Sequence, residues 1–420
     1  MGKYVVRGLS ILMLVAGLWL GWGSQPAYAL TDEHQLLSEV WRIVNRAYID
    51  ESFNHQNWWF VRQRWLQQPL ETREETYGAI DEMLATLGDP YTRLLPPEQY
   101  RSLQTSTSGE LTGVGLQIAK DEQDGTLQVV APVEGSPAAA AGLQPRDRIL
   151  SIDNVATTTL TLDEAAQRMR GPLGSTVVLT VLRPGGAAPS SLEQPVEQRF
   201  ELKRDRISLN PVTVQFQTLD NGLGIGYIRL SQFNANAVTA VAQAIKDLEA
   251  QGANAYVLDL RNNPGGLLTA GIEIARQWLE EGTIVYTVDR QGVLDSYTAT
   301  GAALTQAPLA VLVNEGTASA SEILAGALQD NQRAVLVGGI TFGKGLIQSL
   351  FDLSDGSGLV VTVAKYETPA HHDINRSGIR PDQRVSLAPL GRDQVATAAD
   401  TQYQAAVELL TQRVAIARVS

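Results

Sequence analysis

Apolar positions along the chain change their period twice, and each change marks a different kind of structure. Between His34 and Tyr48, residues Leu36, Leu37, Val40, Trp41 and Val44 recur at the spacing of one helix face. Segments 56–67, with Trp58, Trp59 and Trp65, and 72–87, with Tyr77, Ile80, Met83 and Leu84, continue in the same way. Three amphipathic helices predict a small bundle with an apolar side to bury, and the tryptophans are expected in its core. The bundle ends in GDPYTRLLPPEQY, where Gly88, Pro90 and Pro96-Pro97 break helix. From about 106 to 205 the texture is short β-like runs, many turns and one helical stretch, LDEAAQRM. The stretch at 184–195, PGGAAPSSLEQP, reads as a linker before the strand EQRFEL. Beyond GIGYIRL, buried strands (AYVLDLR, TIVYTV, LAVLVN, AVLVGG) alternate with helices at 236–250, 268–281 and 319–330. That alternation predicts an α/β core with a largely parallel sheet. GLIQSLFDL and GLVVTVAKY read as an antiparallel pair joined by SDGSG, and AADTQYQAAVELLTQRV as a last amphipathic helix. The fold class expected is multidomain α/β.

The first 29 residues follow none of these patterns. Lys3 and Arg7 precede the apolar GLSILMLVAGLWLGW, and Ala27-Tyr28-Ala29 reads as a cleavage site, so 1–29 is a signal peptide by pattern. The alternative, an uncleaved membrane anchor, is less favoured because the apolar run is short for a span. Export is expected, with the mature chain starting near Leu30. Removing Lys3 and Arg7 takes the formal charge from −12 to −14, which argues against nucleic acid as a main partner. The chain has no cysteine, so disulfides, thiolate metal sites and a cysteine nucleophile are excluded. At 420 residues there is room for two or three packed cores.

Candidate chemistry concentrates in 314–348, NEGTASASEILAGALQDNQRAVLVGGITFGKGLIQ. A serine in GTASAS would stand where a strand hands over to a helix, beside free backbone N–H groups. Histidine offers little help to such a serine. His34 and His55 fall in the helical region, and His371-His372 lie on a polar loop without metal-ligand spacing. Lysine is the more economical base, and Lys344 lies between two glycines. A lysine acts as a base only when neutral, so its pKa must fall from about 10.4 toward neutrality through burial. Phe342, Leu346 and Ile347 are expected to exclude water from it. If 345–353 is a strand, Lys344 and Gln348 share a face. An acyltransferase of the SxxK type is ruled out because Glu322, not lysine, follows Ser319 at that offset.

Two resemblances extend this reading. The 106–205 region resembles a PDZ domain: Gly113, Val114, Gly115 and Leu116 match its carboxylate-binding loop, and Gly142-Leu143 with Asp147, Ile149 and Asp153 match its GL…GDxIxxID pattern, with Arg146 in place of the usual glycine. The segment GTASASEILAGALQDNQRAVLVG…TFGKGLIQ, together with LDLRNNPGGLL, resembles the carboxyl-terminal processing proteases, or tail-specific proteases. The resemblance implies a crotonase/ClpP-like protease core with an inserted PDZ domain, and divides the chain into 1–29, 30–105, 106–205 and 206–420. It also implies Ser319 as nucleophile, Lys344 as general base and Gln348 as the residue orienting it. The N–H groups of Gly266 and Ala320 would form the oxyanion hole, and Asp330 would at most support the site, with Arg333 beside it.

EVWRIVNRAYIDESFNHQNWW and VAKYETP…DI…GIRPD look most like the cyanobacterial and chloroplast branch, in which such enzymes trim a photosystem II reaction-centre precursor in the thylakoid lumen. The His371-His372 pair departs from the glycine-containing turn common there. The implied partners are C-terminal tails of proteins, membrane-protein precursors among them. Peripheral membrane contact, a monomeric state, and no cofactor or metal complete the expectation, with thylakoid lumen or periplasm as location. The alternatives are general degradation of exported proteins and a non-catalytic PDZ adaptor or chaperone on a protease-like core.

Overall fold

The computed structural model describes residues 31–121, 125–133, 135–184, 196–386 and 390–417. The expected leader at 1–29 and all but the first residue of the 184–195 linker lie outside the described residues. Two compact units divide the chain: one holds residues up to Leu94 together with Leu350–Val361, the other Leu95–Ser349 and Thr362 onward.

The first unit is built on helices α1 (Asp32–Ala47), α2 (Trp58–Leu66) and α3 (Arg73–Ala85). Thr31 caps α1 by accepting the His34 N–H, with Asp32 and Glu33 in the first turn and Arg46 in the last, as the helix dipole favours. Thr72 and Glu75 form a reciprocal capping box on α3. Leu36, Leu37, Val40 and Val44 of α1 are buried, as are Ile80, Met83 and Leu84 of α3 and Trp58 and Trp65 of α2. Trp59 departs from the expectation of a buried tryptophan set: it is 55% exposed, beside Phe60 at 63%. Adjacent helical residues point about 100° apart, so a face that buries Trp58 turns Trp59 outward. Residues 350–361 belong to this unit through Tyr77, whose hydroxyl donates to Asp355 at 2.7 Å, and through Ser354, whose hydroxyl donates to Glu39 at 2.7 Å.

The second unit opens with a helix at Pro97–Ser108, which starts at the proline pair instead of being ended by it, and a β-rich module follows. Strands β1 (Glu110–Gly113), β2 (Leu116–Lys120), β3 (Leu127–Pro132), β4 (Arg148–Ile152), β5 (Thr176–Arg183) and β6 (Val196–Lys203) are joined by one principal helix, α4 (Leu162–Met169). β2 to β6 form an antiparallel sheet in chain order with β2 at its edge, and α4 packs near β2. The core of Leu127, Val129, Ile149, Ile152, Val177, Leu179 and Val181 is a set of alternate strand residues, as a half-buried sheet requires. β7 (Asp205–Ser208) returns to pair with β1.

The α/β core follows with β8 (Val212–Thr218), β9 (Gly224–Leu230), α5 (Ala237–Ala250), β10 (Ala255–Asp259), α6 (Leu268–Trp278), β11 (Thr283–Asp289) and β12 (Gly292–Thr298). It continues with β13 (Leu309–Val313), α7 (Ala320–Asp330), β14 (Ala334–Gly338), β15 (Leu346–Asp352), β16 (Gly358–Glu367), β17 (Gln383–Arg384) and α8 (Thr401–Ala417). The main sheet runs β8-β9-β10-β13-β14-β17, parallel from β9 onward. Successive residues of each strand serve opposite faces. Ile228, Leu258 and Val311 pack with α5, α6 and α7, whereas Tyr227, Val257 and Leu312 pack with α8. Both faces are therefore covered, and β10 and β13 are buried at every position.

One strand is placed differently from expectation. β11 (TIVYTVD) does not join the parallel sheet; it pairs antiparallel with β12 and with β16. β12 occupies what reads in the sequence as an intervening loop. The physical reason is visible in β11, where four of seven positions are only half-buried while the central strands β10 and β13 are buried throughout, and in Gly292, whose φ of +119° allows a tight return.

A buried ion cluster fastens α8 to the sheet. The Arg261 guanidinium lies 2.6 Å from Asp259 and 2.8 Å from Asp400. Tyr227 donates to Asp259 at 2.6 Å, and Asp400 caps the start of α8 by accepting the Ala396 and Tyr403 N–H groups, each at 3.1 Å.

Candidate active site

The candidate nucleophile turn is clipped to the carboxyl end of the sheet before α7 begins. Asn314 accepts the N–H groups of Asn262 (2.8 Å) and Gly316 (3.1 Å), and Thr317 donates its hydroxyl to the Leu260 carbonyl at 2.8 Å. These bonds pin the chain after β13 to the loop after β10. The turn delivers Ser319 at positive φ, with φ +57° and ψ −118°, a conformation that costs a non-glycine residue energy. Ser319 is the N-cap of α7, yet its carbonyl, not its hydroxyl, accepts the N–H groups of Glu322 (2.8 Å) and Ile323 (3.0 Å). Oγ is thus not consumed by capping. Ser321 differs: it is fully buried and donates to the Asn263 carbonyl at 3.0 Å, a structural use of its hydroxyl.

Glu322 joins the two halves of the site. Its fully buried carboxylate accepts the Ser319 N–H at 2.9 Å and the Lys344 N–H at 2.9 Å, both on Oε2. Oε1 accepts the Gly343 N–H at 2.7 Å and the Thr341 hydroxyl at 2.5 Å. The serine turn and the lysine loop are therefore registered against one side chain. In the sequence, Glu322 served only to reject an SxxK site. The signal that would have found it is the Ser-x-x-Glu capping spacing at the head of a helix.

Lys344 is half-buried in an extended loop that becomes β15 only at Leu346, so the strand expected from 345 starts one residue later. The flanking glycines are required by packing. A Cβ on Gly345 would lie 2.9 Å from the Asn375 nitrogen, and one on Gly343 (φ +87°) would lie 2.9 Å from the Gly378 nitrogen. The expected exclusion of water by Phe342 is not realised, because that ring is 56% exposed and Leu346 and Ile347 are only half-buried. The reason is local: Thr341 and Gly343 turn inward to Glu322, which leaves Phe342 between them facing solvent. Gln348 lies on β15 with its amide donating to the Thr362 hydroxyl of the neighbouring strand at 3.4 Å.

The NNPGG loop lies against the serine turn. A Cβ on Gly265 would approach the Ala318 carbonyl at 2.7 Å and the Ala320 nitrogen and Ser319 Cβ at 2.9 Å. Gly266, with φ +142°, passes so near the Phe233 carbonyl that a Cβ would collide with it. Both glycines are thus fixed by close approach, and Ala320, as the first residue of α7, has an N–H with no intrahelical partner.

Asp330 sits at the other end of α7, where it accepts the Ala370 N–H at 2.9 Å and so holds the loop that carries His371-His372. Arg333, expected beside Asp330, instead donates to the carbonyls of Trp278, Thr305 and Ala307. His371 stacks on Tyr286 with centroids 4.2 Å apart and lies 3.1 Å from Glu367. In the β-rich module, the Val114 carbonyl accepts from Ala138 and the Gly115 carbonyl from Val133, each at 2.9 Å. The strand that follows this bend, β2, stands at the edge of its sheet. Gly115 has φ +76°, and a Cβ there would collide with Ser136, so glycine is obligatory at the bend.

Residues 224–385 match peptidase family S41, and residues 128–183 match the PDZ domain. A carboxyl-terminal-processing protease of Synechocystis sp. is 58% identical over 423 residues, covering 100% of this chain and 97% of the relative. The chloroplastic carboxyl-terminal-processing peptidase 2 of Arabidopsis thaliana is 49% identical over 389 residues, covering 90% of this chain and 74% of the relative. Among solved structures, a photosystem II D1 C-terminal processing protease superposes with a TM-score of 0.57 at 40% identity, covering 89% of this chain and 99% of that one.

Proposed function

The chain belongs to the carboxyl-terminal-processing proteases, serine peptidases of family S41, and from that premise we propose that Ser319 and Lys344 are its catalytic dyad. The observation that carries the proposal is the shared Glu322 carboxylate, which ties the strained serine turn and the lysine loop together through their backbone N–H groups. In the proposed cycle, neutral Lys344 takes the Ser319 Oγ proton as the oxygen attacks the scissile carbonyl. The tetrahedral anion is held by the N–H groups of Gly266 and Ala320, each donor of this kind being worth about 3–4 kcal/mol. Collapse of the intermediate breaks the C–N bond, and the lysine ammonium returns its proton to the leaving amine. Water then hydrolyses the acyl-enzyme with Lys344 again as base. Gln348 supports the lysine strand, and Asp330 holds the adjoining loop without entering the reaction.

The PDZ module supplies the direction of cleavage. A free carboxylate binds at Val114–Leu116, and the tail pairs along the edge of β2, the mode of strand addition. The domain arrangement proposed is 30–105, 106–205 and 206–420 after a removed leader at 1–29. Similarity to a protease that processes the C-terminus of photosystem II D1 supports a reaction-centre precursor as substrate. The chloroplastic relative and the leader support the thylakoid lumen or periplasm as location.

Ser319→Ala and Lys344→Ala are each expected to lower cleavage of a tail peptide by at least about 1000-fold while leaving thermal unfolding unchanged. Full activity in either variant removes the dyad. An amidated tail is expected to be cut markedly less well than the free acid, and equal kcat/KM for the two removes the PDZ loop from the mechanism.

A further inference from the structure

Tyr366 is buried to 1% exposure on β16 and has no part in the cycle above, yet it touches both halves of the site. Its N–H donates to the Gly345 carbonyl at 3.0 Å, directly after Lys344, and its hydroxyl donates to the Ser319 carbonyl at 3.2 Å. The same Ser319 carbonyl accepts from Glu322 at 2.8 Å and Ile323 at 3.0 Å, which is all that the start of a helix requires. A third donor, brought by a bulky side chain from a different strand, is therefore not explained by helix formation. A trans peptide is rigid, so the direction of the Ser319 carbonyl fixes the opposite direction of the Ala320 N–H. The space by that N–H is kept free, since a Cβ on Gly265 would stand 2.9 Å from the Ala320 nitrogen. Burial, with Glu322 and Asp373 nearby, holds the Tyr366 phenol well above its ordinary pKa, so it remains a donor throughout the working range.

We propose that Tyr366 is a positioning residue for cleavage: its hydroxyl anchors and polarises the Ser319–Ala320 peptide, so that the Ala320 N–H faces the anionic oxygen formed during acyl transfer. The inference rests on the dyad and oxyanion reading above. Three donors on one carbonyl strengthen the dipole of the whole peptide, and the anchor resists relaxation of the strained Ser319.

The test compares Tyr366→Phe with wild type in the full-length protein. A lost neutral hydrogen bond of this kind predicts a fall in kcat of about fivefold, with KM and the melting temperature nearly unchanged. A peptide aldehyde, whose hemiacetal oxygen occupies the oxyanion position, is expected to bind more weakly by the same factor, and a product peptide equally well. Wild-type kcat in the variant overturns the inference, as does a fall in kcat with unchanged aldehyde affinity. Should Tyr366→Phe fail to fold, 3-fluorotyrosine at this position, a stronger donor, is expected to tighten aldehyde binding, and unchanged affinity counts against the proposal. Activity surviving in Ser319→Ala or Lys344→Ala would instead overturn the dyad, whatever Tyr366 does.

Discussion

Glu322 receives three backbone N–H groups and one threonine hydroxyl in a place without solvent. A glutamine there would keep the volume but turn an NH2 toward backbone N–H groups that only donate, whichever way its amide lay. Glu322→Gln is expected to cost at least about 3 kcal/mol, from the loss of hydrogen bonds to a charged acceptor. It should also lower kcat/KM by more than about 100-fold, because the serine and lysine segments lose their common reference. Thermal unfolding and peptide cleavage check both, and a variant matching wild type in the two measurements would show the carboxylate to be dispensable. Individual side chains were unevenly legible in the sequence. The absence of cysteine and the scarcity of histidine left a serine of GTASAS with Lys344 as its base, while the choice of Ser319 over Ser321 came from the resemblance alone; in the structure Ser321 is buried and bonded to the Asn263 carbonyl. Tyr366 gave no signal, since a tyrosine in an apolar strand reads as core until its hydroxyl is seen to reach Ser319.

The loop that carries Lys344 works as an element because two glycines let residues 375–378 lie directly on it. Gly345→Ala would push a methyl to 2.9 Å from the Asn375 nitrogen and 3.0 Å from its Cβ, so the loop or its neighbour must shift. The expected stability loss is about 1–3 kcal/mol, with a larger proportional loss of activity because the displaced atoms adjoin Lys344. Gly222→Ala is the control. Unlike Gly345 it has positive φ, at +80°, and nothing lies within 4 Å of the added carbon, so it should cost about 1–2 kcal/mol of backbone strain and leave the cleavage rate intact. Equal activity losses in the two variants, compared at matched stability, would deny any special role to the lysine loop. Elements with uninterrupted apolar runs, such as β10 and β13, were legible as central parallel strands. β11 and β12 were not, because a run with half-buried positions fits a sheet margin as well as a centre, and only pairing decides between them.

At the scale of the whole molecule, the sequence conveyed the succession of helical, PDZ-like and α/β regions, but not that residues 350–361 belong with the N-terminal helices. That assignment depends on bonds such as Tyr77 to Asp355, 278 positions apart, which no local pattern encodes. The closure of the main sheet by α8 likewise depends on partners far apart in the chain, Arg261 and Asp400, and it makes stability depend on pH in a stated direction. Burial alone would raise the Asp400 pKa. The Arg261 guanidinium and the N–H groups of Tyr403 and Ala396 outweigh it, so the folded value lies below the ordinary one. A carboxylate depressed in this way contributes its full stability above the unfolded pKa, about 3.9, and loses it as pH falls through the lower folded value. Asp355 in the first unit is shifted downward too: burial opposes the shift, while hydrogen bonds from Ser357 and Tyr77 and the charge of Arg73 prevail. Acid unfolding therefore has contributors in both units, and Asp400→Asn is expected to remove only part of it. At neutral pH that substitution leaves Arg261 with one carboxylate fewer in a buried site, a loss of about 3–5 kcal/mol. Urea midpoints measured from about pH 3 to pH 7 should fall more steeply toward acid for wild type than for the variant, so that the two curves converge below the unfolded value. Parallel curves would mean that Asp400 is not held ionised by Arg261, and that α8 is retained by its apolar face, Tyr403, Ala406 and Leu410, alone.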